Sequence, residues 1–238
     1  MKLDTRTVRA LALTAWAGLF IWLWLSGESV RYLGPRTQWV VPVGAIGLSL
    51  AAIGYLRATR EHPTTRVSVR ELLGLTGLVV PIFAAATLAQ AQLGSLAASN
   101  KLSSRGIDPS EIARLASQNA SEIGFVQLKA AGKDADLASQ LAITAGRSVR
   151  LTGFVSSAPT SRRGLFELSR FYITCCVADA IPVGVHVDPS ALRPGRLQKN
   201  DWLEVAGALV RGRGEWIVRA GELHRVDPPS DPYLSFSS

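Results

Sequence analysis

Three long stretches without a charged residue constrain this chain more than any other feature. Ala10–Leu25 reads ALALTAWAGLFIWLWL, Trp39–Leu56 reads WVVPVGAIGLSLAAIGYL, and Leu72–Ala89 reads LLGLTGLVVPIFAAATLA. A helix crossing a bilayer core takes about 17–25 such residues. The first run reaches that length if Thr7–Arg9 and Ser26–Gly27 lie in the interface. Pro81 interrupts the third run, which a membrane helix tolerates when neighbours satisfy the freed carbonyl. The chain is therefore expected to begin with an α-helical membrane anchor. Three transmembrane helices at about 8–27, 39–56 and 72–90 would make a membrane domain of residues 1–93. For the first run a cleaved signal peptide is the alternative. Its length, and the lack of a small-x-small site after it, favour a retained helix.

Orientation follows from Lys and Arg in the short loops. Lys2, Arg6 and Arg9 share a side with Arg57, Arg60, Arg66 and Arg70. Arg31, Arg36, Lys101 and Arg105 lie on the other side. The richer side belongs inside, so the N-terminus is expected in the cytoplasm. Three spans then put everything after about residue 90 on the outer side of the cell membrane.

The formal charge of +8 raises nucleic acid as a partner. Its distribution argues against one. Residues 1–98 carry nine Lys/Arg and four Asp/Glu, whereas the remainder carries 17 and 14, with no long run of like charge. The expected partner is the lipid bilayer, and no nucleic acid. Two cysteines are too few for a disulfide scaffold.

Beyond the anchor, residues 94–146 read as a linker with short helices. Asp108-Pro109-Ser110-Glu111 is a helix start, with Pro at the first position and Glu three residues after the cap. Ile112, Leu115, Ala116 and Asn119 follow at helical spacing. A second pattern covers Asp134–Thr144, with Leu137, Leu141 and Ala142 on one side. Gly124 and Gly132 separate the two.

From Ser148 the period becomes two. Val149, Leu151, Gly153 and Val155 share one face, as do Phe171, Ile173, Cys175 and Val177, and Val183, Val185 and Val187. WLEVAGALVR and EWIVRAGELHRV flank a Gly212-Arg213-Gly214 turn. Five short strands within residues 147–227 predict a small all-β OB-like barrel, followed by a C-terminal tail at 228–238.

Both cysteines fall in Arg170–Val187. By strand parity Cys175 joins the core, where a thiol behaves as a small hydrophobe. Cys176 falls on the other face, and so does His186 of the next strand. If these strands pair as a hairpin, Cys176, Asp179 and His186 can converge as ligands for Zn²⁺ or a similar ion. Cys175 would add a further ligand if the strand ended between the thiols. The alternative is a packed Cys beside a loop Asp and a surface His. A disulfide between adjacent cysteines is awkward, because their Cα atoms lie ~3.8 Å apart, below the usual ~4.4–6.8 Å. No phosphate-binding loop, nucleophile elbow, zincin or dinucleotide motif is present, so no catalytic residue or organic cofactor is predicted.

The string Arg170-Phe171-Tyr172-Ile173-Thr174-Cys175-Cys176-Val177-Ala178-Asp179-Ala180-Ile181-Pro182 closely resembles the hallmark of a bacterial membrane family, the YcgQ-like permease subunits. Arg150-Leu151-Thr152-Gly153-Phe154 matches the first strand of that family's C-terminal domain of unknown function. The resemblance implies a few membrane helices before that domain, a separate polytopic permease as partner, and a link to metal homeostasis, zinc in particular. It supplies no catalytic residues. The expected function is a non-enzymatic accessory subunit of a permease with an extracytoplasmic β-domain. The alternative is a stand-alone metal-binding or thiol-redox domain on a membrane anchor.

Overall fold

The computed structural model describes residues 5–58, 73–74, 77, 79–80, 93–104, 109–118, 123–159, 164–192 and 196–234. The chain divides into two compact units, Met1–Ala91 and Gln92–Ser238.

In the first unit, α1 spans Thr5–Leu25 and α2 spans Val40–Ala58. They pack through small side chains. Ala10, Ala12, Ala17, Val41, Ala45 and Ala52 are buried, and a Cβ on Gly44 would meet the Phe20 ring at 2.6 Å. Such close approach of helix backbones is the usual basis of packing in lipid. Leu11, Trp24, Trp39, Val43, Ile46 and Leu50 point outward and are exposed. Pro42 falls in the first turn of α2, where its missing N–H is no loss.

Three transmembrane helices are more than the described residues support. Among them only Val40–Ala58 is long and apolar enough to cross a membrane. The apolar part of α1, Arg9–Leu25, is shorter. The expected extension through Gly27 fails because that residue turns into the left-handed region at φ 71° and ends the helix. The third run falls mostly outside the described residues, and its described residues 73–74, 77, 79 and 80 are helical.

The second unit is a closed five-stranded β-barrel. Its strands are β1 (Ser148–Ser157), β2 (Phe166–Tyr172), β3 (Ile181–Asp188), β4 (Trp202–Arg211) and β5 (Trp216–Arg225). β1 pairs with β4 on one side and β2 on the other, which closes the sheet in the order β1-β2-β3-β5-β4-β1. All of these pairs are antiparallel except β3 with β5, which run parallel. The expected inward faces of β1 and β3 hold: Val149, Leu151, Val155, Val183, Val185 and Val187 are buried in the main core.

β2 departs from its expected parity. Phe166, Leu168 and Tyr172 join the main core, whereas Phe171 and Ile173 belong to a second apolar cluster. There Phe171 stacks on Phe154 at 5.5 Å, and Trp202 tilts against Phe154 at 5.9 Å. Both faces of β2 are thus buried at this end, which an alternating pattern cannot reveal. The cover comes from Ala98 on α3 (Ser95–Ser104) and from Tyr233 of β6 (Tyr233–Leu234). The expected tail therefore contributes a sixth strand, parallel to β2.

The expected linker also belongs to this unit. The helices α4 (Pro109–Gln118) and α6 (Ala135–Gln140) occupy the two predicted stretches. Between them lies an unexpected helix, α5 (Phe125–Lys133). Phe125, Val126, Leu128 and Ala131 are buried in the barrel core, and the Phe125 ring sits 2.9 Å from where a Cβ on Gly153 would stand. A Cβ on Gly132 would stand 3.2 Å from the backbone of Gly214 and Glu215, so the glycine eases a tight approach there. The last carbonyls of α5 are satisfied from the barrel. Trp216 Nε1 donates to Ala131 O at 3.3 Å, and the Arg211 guanidinium donates to Ala131 O and Gly132 O at 3.3 and 3.2 Å. A cation at a helix C-terminus also complements the helix dipole.

Candidate functional site

The strand carrying the cysteines ends at Tyr172, and the chain from Ile173 to Ala180 forms the tip of the β2–β3 hairpin. A short 3₁₀ turn, Val177–Asp179, closes the tip. The Asp179 carboxylate accepts the N–H of Thr174 at 3.2 Å and of Cys175 at 2.8 Å. One side chain therefore replaces the ladder bonds that a continuing strand would have made. Ile173 and Ala180 are buried in the second cluster and Val177 packs against it, so the loop is pinned at both shoulders.

Leaving the strand changes the fate of both thiols. Cys175 is exposed rather than packed in the core, and Cys176 is half-buried. Alternation no longer sends them to opposite faces, and their sulfur atoms stand 3.7 Å apart. Both are thiols, not a disulfide. A hydrogen bond to Asp179 pushes the Cys175 thiol up to about 11, and contact with Cys176 adds to it. Burial pushes the Asp179 carboxyl up. Hydrogen bonds from the Cys175 thiol and from the Cys175, Thr174 and Cys176 amides outweigh it, and its pKa falls below the usual value.

His186 does not join this group. It lies in β3 opposite Glu167 and beside Ile217 of β5, and its Nδ1 is 3.0 Å from Glu215 Oε2. The hairpin register explains why. Ile181 pairs with Tyr172 at the tip, and five further residues at ~3.3 Å each carry His186 about 16 Å along the strand. The predicted Cys176–Asp179–His186 convergence is corrected on this ground. Among the described residues, no group of three or more His, Cys, Asp and Glu stands ready to hold a metal ion. The tip offers two sulfurs, and the Asp179 oxygens already accept backbone N–H groups. That donor set does not fit a resident tetrahedral zinc, which takes four.

Arg170 is a residue whose role the strand pattern hides. Its Nε donates to Pro232 O at 3.3 Å, and its Nη2 donates to Asp231 O at 2.6 Å and Tyr233 O at 3.1 Å. Burial lowers its pKa from the ordinary value, with the Asp231 carboxylate opposing the shift. Its partners are backbone carbonyls more than 60 residues away, and no side-chain pattern announces such acceptors. The aromatics Phe154, Tyr172 and Trp216 are all buried, so they offer no stacking platform for bases.

Residues 135–234 match the family model described as DUF1980 C-terminal domain, a domain of unknown function. The match covers α6, all six strands and the hairpin tip, and it agrees with the resemblance carried by Arg170–Pro182. No curated protein matches the chain.

Proposed function

We propose that this protein is a non-enzymatic integral membrane protein of bacteria, an accessory subunit that docks on a polytopic permease. In this reading the N-terminal helices sit in the lipid bilayer with the N-terminus in the cytoplasm. The barrel stands outside the membrane and recruits or gates the partner. The carrying observation is the joining, in one chain, of a span-capable helix, Val40–Ala58, to a separate unit that matches the DUF1980 C-terminal domain. Large apolar side chains facing outward on α2 suit a lipid surrounding. The strand order, with its single parallel β3–β5 pair among the barrel strands, supports the OB-like reading. A role in metal homeostasis follows from the YcgQ-like resemblance and needs no ion resident in the barrel.

Co-purification from native membranes in mild detergent tests this reading. A polytopic partner recovered in stoichiometric amount supports it, and recovery of the chain by itself counts against it. An extracytoplasmic reporter fused after Ser238 is expected to be active.

A thiol-redox domain that acts without a permease is the second reading. The observation favouring it is the pair of adjacent thiols, 3.7 Å apart at an exposed tip.

A further inference from the structure

We propose that Cys175 and Cys176 form a reversible vicinal disulfide, making the β2–β3 tip a two-electron redox switch. Four observations carry this. The pair lies outside the regular strand, so the opposed side-chain directions that would forbid the bond are absent. The sulfurs are already 3.7 Å apart and need approach by only about 1.7 Å to reach a bond of ~2.05 Å. Cys175 is exposed, which admits an oxidant. The turn is anchored at Asp179, Val177 and Ala180, so a change in the intervening peptide is confined to the tip.

The step balances with a disulfide as oxidant, for example the active-site disulfide of a thiol oxidoreductase or glutathione disulfide. The Cys176 thiolate attacks the oxidant and releases one thiolate from it. The Cys175 thiol then loses its proton, attacks Cys176 Sγ and expels the second thiolate. One protein dithiol becomes a disulfide, the oxidant becomes two thiols, and the protons remain in the overall thiol balance. Adjacent cysteines close a small ring whose Cα separation is below the ordinary disulfide range, so the bond is strained and easily reduced. Oxidation removes the thiol proton that Cys175 shares with Asp179 and turns the Cys175–Cys176 peptide against the amides which that carboxylate holds. The switch thus reads out as a loosened Asp179 clamp. Its operation in the cell rests on the extracytoplasmic placement proposed above, where such oxidants work. The chemistry of the pair does not rest on it.

The test uses the full-length protein in detergent, treated with glutathione disulfide and then analysed by intact mass under denaturing conditions. The chain contains two cysteines only. A loss of about 2 Da, two hydrogens, therefore identifies the vicinal bond without peptide mapping. The expected result is that loss, its reversal by dithiothreitol, and faster hydrogen exchange at Thr174 and Cys175 in the oxidised form. Cys175→Ser and Cys176→Ser are each expected to give a stable glutathione adduct in its place. Wild type that yields only glutathione adducts or disulfide-linked dimers overturns the proposal. A 2 Da loss that leaves exchange at the tip unchanged overturns the switch. Neither outcome bears on permease docking, which co-purification reads separately.

Discussion

The guanidinium of Arg170 donates to the carbonyl oxygen of Asp231 at 2.6 Å, tying the chain's last described strand to the strand that leads into the cysteine tip. Two more bonds, to Pro232 and Tyr233, make this a three-point clamp. Tyr233 in turn covers the second apolar cluster. Arg170→Ala is expected to cost about 1.5–3 kcal/mol, the range for hydrogen bonds to a charged group. Arg170→Lys is expected to recover little, because an ammonium cannot span the fork. Denaturant unfolding of the full chain, with protease digestion to follow release of residues after 230, checks both.

Asp179 predicts a pH dependence. Its folded pKa is depressed, so its stabilising contribution is fully present above the unfolded value of ~3.9 and is lost as pH falls through the lower folded value. The stability gap between wild type and Asp179→Asn is expected to be constant from about pH 5 to 7 and to close below about pH 4. Thermal unfolding across that range measures it. A gap that widens on acidification contradicts the assignment.

The same contact keeps Cys175 protonated. In a Cys176→Ser background, adding Asp179→Asn removes the carboxylate that favours the thiol form. The Cys175 pKa, held up chiefly by that hydrogen bond, then falls toward the ordinary thiol value. Because the thiolate is the nucleophile, alkylation by iodoacetamide at pH 8 is expected to accelerate about tenfold or more. The pH–rate profile should shift to lower pH, which mere unfolding of the loop at one pH would not reproduce.

Gly153 tests how α5 closes the barrel. A Cβ there would stand 2.7 Å from Ser169 O and 2.9 Å from the Phe125 ring. Gly153→Ala is expected to destabilise by about 1–3 kcal/mol, the usual cost of overpacking. Gly221→Ala, whose new Cβ would make only an ordinary 3.8 Å contact with Ala206 O, serves as the near-neutral control. Urea unfolding of the three proteins decides it.

Much of the barrel was legible because a strand with one face in a core alternates strictly. Val149, Leu151 and Val155, and then Val183, Val185 and Val187, mark their inward faces in the sequence and keep them in the structure. The turn at Gly212–Gly214 was legible for a related reason, since Gly214 takes φ +75°, which few other residues accept. The start of α4 at Pro109 and the Asp134 cap of α6 are local signals of the same kind.

What remained hidden depends on contacts between distant residues. Gly124 and Gly132 read as breaks, yet Gly124 caps α5 and Gly132 lies inside it, where a Cβ would press to 3.2 Å against the backbone of Gly214 and Glu215. The doubled burial of β2 arises from α3 and β6, which the strand's own alternation cannot report. The two cysteines illustrate the division most directly. Composition and spacing fixed their number, their adjacency and their place in the signature string. Whether they opposed each other across a strand or met at a turn was decided by where β2 ends, and Asp179 sets that end by capturing the amides of Thr174 and Cys175. His186, in contrast, was carried off to Glu215 by a register that the tertiary pairing alone defines. Local periodicity determines which faces of a segment seek burial, whereas the closing of the barrel determines which side chains become neighbours.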